Sequence, residues 1–322
     1  DKPFKNYEEM IQIMESRNIV IENKAFALSA LQNFSYYGLI NGYKDTFLQE
    51  PGTDMFQKGT RFEELYTLHM IDTSLNSILF KYILYLEKAL KSRISYCVSQ
   101  KYGVYTDKND FTFSNEDDYL CRKYYSNSSN RRFNILLSLK KCISNDRNNP
   151  IMVHYLNDRN HIPPWILTTN ISYGLAIEWY NILKNDDKIE ICNSFISPGV
   201  LTTSEIKEFM KKIFELTKEY RNKIAHGNRT FSIRNLPQLP KKQLLTLTYG
   251  LLSEKEYNNR IGQNDTLAIL LAILITIRDP YIAANLIEEL KTLLIPYAQT
   301  TFNGCTIYKL LRFPTNIFDR FD

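Results

Sequence analysis

The sequence predicts an all-α protein, and three observations predict it. Glycine and proline are scarce, at eleven each in 322 residues, which suits helices better than a sandwich or a barrel. Apolar residues recur at spacings of three and four over long stretches, as on one face of a helix; Leu65, Leu68, Leu75, Leu79, Tyr82, Leu86 and Leu90 form the longest such seam. Helix-capping signatures, a Ser, Thr or Asn with Glu three residues on, stand at Asn6 with Glu9, Thr60 with Glu63 and Thr202 with Glu205. With 44% hydrophobic residues, the chain can bury a substantial core as one large domain or two.

The first capping box opens a short helix in which Tyr7, Met10, Ile11 and Met14 have helical spacing. A second helix is expected from about residue 22 to 34. Residues 34–47 are aromatic and punctuated by glycine, and Tyr36, Tyr37 and Tyr43 admit two readings, core rings or a shelf for stacking bases. Thr60 and Glu63 then cap a helix of many turns over 61–101, with Glu87 and Lys91 paired on its wet side. His69 lies beside the seam of that helix and reads as a hydrogen-bonded surface histidine. Over 102–130 the pattern fails and polar, turn-forming residues dominate, so this is an insertion or a flexible loop, either RNA-binding or slack. Phe133 begins another helix that ends near 146–150, and one more is expected over 170–183.

Thr202 and Glu205 announce an amphipathic helix with a core stripe of Ile206, Phe209, Met210, Ile213, Phe214, Tyr220 and Ile224. Gly227 suits the position just past its end, which leaves His226 at the negative end of the helix dipole, where a cation is favoured. Beyond Pro237 and Pro240, helices are expected over 241–257, 265–277 and 280–294, the last with Pro280 in its first turn after Asp279. These readings divide the chain into an N-terminal helical region (1–60), a helical core (61–235) with a polar insertion near 102–130, and a C-terminal helical extension (236–322).

The net charge is +5, from 40 basic and 35 acidic side chains. Residues 207–234 alone hold eight basic and three acidic side chains, so the whole excess is matched in one helix and its exit. Lys207, Lys211, Lys218, Lys223, Arg229 and Arg234 are therefore candidate contacts for a polyanion, against the plainer reading of a solvated face. Five widely spaced cysteines without a CxxC suit a reducing cytoplasm and give no zinc site. His154 and His161 do not have ligand spacing on a helix turn, so no metal and no cofactor are expected. The longest apolar run, residues 267–277, is too short to cross a bilayer, and no signal peptide is visible, so the expected location is the cytoplasm.

The stretch with most chemistry is Arg221, Asn222, Lys223, Ile224, Ala225 and His226. A histidine can take a proton from a ribose 2′-OH or give one to a leaving 5′-oxygen. An arginine offers a charged planar fork to phosphoryl oxygens as negative charge builds on them. Positions five apart diverge by about 140° around a helix, so Arg221 and His226 do not aim at one atom, whereas Asn222 and His226 share a face. The spacing favours a composite site, through distortion at Gly227 or through two copies facing each other in a dimer.

Arg221, Asn222, Ala225 and His226 resemble the R-x4-6-H signature of HEPN ribonucleases. Asn33 to Leu39, Gly42 and Tyr43, then Phe56, Gly59, Thr60, Phe62 and Glu63 carry a wider resemblance, continued by Pro164, Trp165, Ser172, Tyr173 and Gly174 and by the run RNKIAHGNR. In this order they resemble the Abi family (AbiD/AbiF-like) of phage abortive-infection proteins. Phe313, Pro314, Thr315 and Asn316 are similar to its closing motif. The chain departs from the family at Gly227, where a second histidine is common, and at Tyr173, where Phe is common. The resemblance implies a HEPN-like helical bundle and a metal-independent endoribonuclease that leaves a 2′,3′-cyclic phosphate, with Arg221, His226 and Asn222 as its catalytic residues. It also implies a homodimer and a bound structured non-coding RNA. Two other readings stand beside it: an RNA-binding module without chemistry, and a HEPN toxin held by a protein antitoxin.

Overall fold

The computed structural model of the chain describes residues 3–128, 130–144, 149–159, 161–233 and 235–321. The fold is all-α, with a single two-stranded hairpin among the described residues. The helices are α1 (Tyr7–Ser16), α2 (Lys24–Phe34), α3 (Phe62–Tyr102), α4 (Arg132–Ser144), α5 (Pro150–His154), α6 (Pro164–Leu167) and α7 (Tyr173–Ile182). There follow α8 (Asn185–Phe195), α9 (Thr203–Ala225), α10 (Lys241–Leu247), α11 (Glu254–Asn258), α12 (Thr266–Thr276), α13 (Pro280–Leu294) and α14 (Ile307–Leu311).

Helix α3 is the axis of the molecule. Its 41 residues extend about 60 Å at 1.5 Å per residue, and α6, α7, α8, α9, α12 and α13 all pack against it. The leucine seam read from the sequence is buried along its whole length. Its far end is fixed to α8: Lys101 pairs with Asp187 and Glu190, both at 2.7 Å, and the Tyr102 hydroxyl donates to Asp187 at 2.7 Å. Buried side chains from Ile11 to Phe318 form one continuous cluster, so the N-terminal, central and C-terminal segments share a core.

Capping shows where local sequence decides and where it is overruled. The boxes at Asn6 with Glu9 and Thr202 with Glu205 form as expected, and Asp279 caps α13 ahead of Pro280. At α3 the start is one residue later than expected: the Glu64 carboxylate, not that of Glu63, accepts the Arg61 amide at 2.8 Å. The reason is long-range. Val20 donates to the Thr60 carbonyl at 2.8 Å and accepts from Phe62 at 3.0 Å, and this bridge holds Arg61 extended, outside the helix.

Other departures are of the same kind. The helix expected over 241–257 breaks into α10 and α11, because Tyr249 and Gly250 take positive φ between them and Ser253 with Glu256 caps a new start. Helix α8 stands where no element was expected. The hairpin Thr301–Phe302 with Cys305–Thr306 turns at Asn303 and Gly304, whose φ angles are 50° and 73°, a turn for which Asn-Gly is the strongest short-range signal. The expected end of α4 near 146 lies outside the described residues.

The segment read as an insertion or a flexible loop is tied down. Lys140 on α4 is wholly buried and its ammonium meets the Asp118 carboxylate at 2.8 Å, the Thr106 hydroxyl at 2.9 Å and the Asp107 carbonyl at 2.6 Å. Asp110 accepts from the Thr112 hydroxyl at 2.6 Å and from the amides of Thr112, Phe113, Ser114 and Asn115; partial burial opposes its charge, yet these bonds, the hydroxyl's first, hold the carboxyl down to about 2. Tyr119 and Tyr125 are buried against Trp179 of α7. Polar composition here encodes a network of side-chain anchors, which hydropathy patterning does not register.

Candidate RNA-cleaving site at the end of α9

Helix α9 ends as its sequence requires. Gly227 takes φ +76°, its amide donates to the Ile224 carbonyl at 3.0 Å, and the Asn228 amide donates to the Lys223 carbonyl at 3.0 Å. These are the paired bonds of a Schellman motif. His226 is the C-cap of α9, just before the glycine, its amide bonded to the Asn222 carbonyl at 3.1 Å, and its side chain is exposed. The buried stripe is as expected from Ile206 to Tyr220 and adds Leu216 and Thr217, while Ile224 is only half-buried.

Arg221 and Asn222 are half-buried one turn earlier. The Arg221 guanidinium lies over the Phe80 ring of α3 at 5.6 Å from its centroid and donates weakly to the Asn222 side chain at 3.4 Å. Its Nε is sealed from water and has no hydrogen-bond partner. Among the described residues no hydrogen bond joins Arg221 to His226, in keeping with the divergence expected from their spacing.

The candidate RNA contacts are in different situations. Lys211 pairs with Glu215 at 3.9 Å, Lys218 with Glu219 at 3.3 Å, and Lys207 reaches Asn185 of α8. Lys223 makes no ion pair among the described residues and lies in the last turn of α9. Arg229 is built into the fold: its guanidinium donates to the carbonyls of Tyr37 at 3.1 Å and Gly38 at 3.2 Å and lies over the Tyr37 and Tyr43 rings. Gly42 makes room for it, since a Cβ there would fall 2.0 Å from the Arg229 Nε and 2.5 Å from the Gly38 carbonyl. Arg234 lies outside the described residues.

Beside this turn is a cleft of about 620 Å³ between α3 and the chain after α9. His69, Asp72, Asn76 and Phe80 of α3 form one wall, and Ala225, Gly227 and Asn228 face them. Arg221 and His226 do not line it; Arg221 stands behind Phe80. Asp72 is buried and accepts from the Tyr43 hydroxyl and the Thr230 amide, both at 2.9 Å. Burial outweighs these bonds and pushes its carboxyl up to about 6. His69 is not the surface histidine expected. It is half-buried, edge-on to Phe34, with Nδ1 at 3.3 Å from the Tyr43 hydroxyl and Nε2 without any partner. Burial, and then the Arg229 charge, lower its pKa.

Of this wall, His69 alone stands out in the sequence as a chemically distinctive residue. Residues 69, 72, 76 and 80 recur at spacings of three and four, which places them on one face of α3, and that was visible in the sequence. Of the three tyrosines offered as core rings or a shelf, Tyr43 is buried, Tyr36 is half-buried and bonded to Arg17, and Tyr37 is exposed beneath Arg229.

Among the described residues no cluster of His, Cys, Asp and Glu is placed to hold a metal ion, and no helix is long and apolar enough to cross a membrane. The five cysteines are free thiols. No curated protein and no solved structure matches the chain. A family model described as Abi-like protein matches residues 29–232, a span that runs from α2 through α3 and α9 to the Arg229 turn. The chain belongs to the family of Abi-like proteins.

Proposed function

We propose that this Abi-like protein is a metal-independent endoribonuclease of the HEPN type, acting in phage abortive infection as a homodimer. Family membership supports the defence role. The observation that carries the chemistry is the end of α9, where an exposed imidazole and a guanidinium with an unpaired Nε lie within two turns of each other. Two copies of that end, one from each protomer, supply two histidines and two arginines. One His226 accepts the proton of the ribose 2′-OH as that oxygen bonds to its own 3′-phosphorus. The other, protonated, gives its proton to the 5′-oxygen as the P–O5′ bond breaks. The products are a 2′,3′-cyclic phosphate and a 5′-OH. Arg221 carries the growing charge on the phosphoryl oxygens, and Asn222, whose side chain meets Arg221, orients it. Lys207, Lys211, Lys218 and Lys223 extend the basic face along α9 for the RNA backbone.

Purified protein incubated with RNA in EDTA is expected to cut it, leaving cyclic phosphate ends, and His226→Ala is expected to abolish cutting while RNA affinity changes little. Parallel loss of both would sink the catalytic role. A second reading, RNA binding without chemistry, is favoured by the lack of any bond between Arg221 and His226 within one chain; a wild-type protein that binds RNA and never cuts it would establish that reading.

A further inference from the structure

A second cleft, of about 490 Å³, opens where the chain leaving α9 meets the loop between α11 and α12 and the end of α14. Two arginines, Arg260 and Arg312, line it, and both stand where a helix ends. The Arg260 amide donates to the Tyr257 carbonyl at 2.9 Å and the Ile261 amide to the Glu256 carbonyl at 3.0 Å. Likewise, the Arg312 amide donates to the Lys309 carbonyl at 3.2 Å and the Phe313 amide to the Tyr308 carbonyl at 2.8 Å. These are the paired bonds that Gly227 and Asn228 make after α9, so each arginine occupies the position where glycine is favoured.

The backbone there is left-handed, with φ of 64° at Arg260 and 57° at Arg312. A side chain in that region crowds its own backbone, a cost that Gly227 avoids. Side-chain contacts do not offset it: both arginines are exposed, and among the described residues neither guanidinium has a hydrogen bond or an ion pair. Local structure therefore gives no reason for arginine at either position. The Arg312 charge is felt at Asp265, whose two oxygens are already taken by the Gly262 and Ala268 amides at 2.9 Å each. Elsewhere in the lining, Gln238 and Gln263 both give their amide nitrogens to Tyr257, and Asn264 gives its own to the Leu236 carbonyl. Three amide oxygens are left as acceptors. The cleft thus offers two guanidinium forks, which suit phosphoryl oxygens, and acceptors for hydroxyl groups.

We propose that this cleft binds a small phosphate ester that carries hydroxyl groups, a sugar phosphate or a nucleotide, its anion drawn to Arg260 and Arg312 and its hydroxyls met by the amide oxygens of Gln238, Gln263 and Asn264. The volume suits a ligand of that size. Apart from Tyr220, Thr230 and Phe231, the lining lies beyond residue 232, where the family match ends. Binding here needs neither Arg221 nor His226, and the site stands whether or not the protein cuts RNA.

Calorimetric titration of the full chain with ribose 5-phosphate, AMP and ribose tests this. Ribose 5-phosphate is expected to bind and ribose, which lacks the anion, to give no measurable heat. Arg260→Gly and Arg312→Gly are each expected to weaken binding about tenfold or more, the effect of losing one charged donor. Both variants are expected to melt no lower than wild type, because glycine takes the left-handed backbone without strain. AMP binding more tightly than ribose 5-phosphate would identify a nucleotide and equal binding a sugar phosphate, and either supports the proposal. No heat from either phosphate at millimolar concentration, or binding that survives both glycine variants, would overturn it. So would a clear fall in Tm on losing either side chain, which would give that arginine a structural role.

Discussion

The segment between α3 and α4 and the turn after α9 are both polar, both rich in charge, and opposite in how their polar groups are spent. In the first, the buried Lys140 and Asp118 satisfy each other and are further bonded by Thr106, Asp107 and Leu120. Around the second, Arg221 Nε and His69 Nε2 have no partner, and Asp72 is held at a raised pKa by burial. A charge that is buried and fully bonded builds the fold. A polar group kept dry and unbonded costs stability.

The comparison is broken most severely at Lys140. Lys140→Met leaves the Asp118 carboxylate buried without its cation, and losing one partner of such a pair costs about 3–5 kcal/mol. Urea unfolding is expected to show a loss of that size; a change below about 1 kcal/mol would mean that the segment over 103–131 is not anchored as described.

Next comes Asp72, where the sign of the pH dependence is the test. Its carboxyl is raised from 3.8 to about 6 in the fold, so the native state binds this proton more tightly than the unfolded chain. Its contribution is fully favourable below about pH 4 and is lost as pH rises through about 6, a change of about 3 kcal/mol for two pKa units. Glu205 and Glu256, lowered to about 2, act in the other sense and at lower pH. The measurement is therefore the stability of wild type minus that of Asp72→Asn between pH 4 and 7. The difference should fall across that window, and a flat difference would contradict the burial argument.

Gly42 sharpens the comparison from the other side, since the charge of Arg229, beside the turn, is spent on structure. Gly42→Ala drives a methyl group into the Arg229 guanidinium and the Gly38 carbonyl. Overpacking of this kind costs about 1–3 kcal/mol. Differential scanning calorimetry is expected to show a lowered Tm, and an unshifted Tm would mean that the Arg229 strap yields freely.

Much of this was legible in the sequence because it depends on neighbours in the chain. The seam of α3, the capping boxes of α1 and α9, and Gly227 as the terminator of α9 follow from residues within a few positions of each other. What stayed hidden depends on distant partners. The bridge from Val20 that delays α3, the pairing of Lys140 with Asp118, and the meeting of Tyr43 with His69 and Asp72 join positions far apart in sequence. At the site, the sequence pointed to Arg221, Asn222 and His226, and the structure supplies their setting: a weak contact between the first two, and Phe80 under the guanidinium.

The smallest expected effect on stability is the most telling. Arg221→Met removes a cation–π contact worth about 0.5–1 kcal/mol and a weak bond to Asn222. It also removes the cost of keeping Nε dry and unbonded, which is of similar size and opposite sign. Methionine retains the length of the stem that packs beside Phe80. The two contributions nearly cancel, so unfolding free energy is expected to stay within about 0.5 kcal/mol of wild type, while RNA cleavage is lost. A loss of more than about 2 kcal/mol would put Arg221 in the same class as Lys140, a buried cation that holds the fold together, and would take from the end of α9 the physical argument that its guanidinium is reserved for a phosphate.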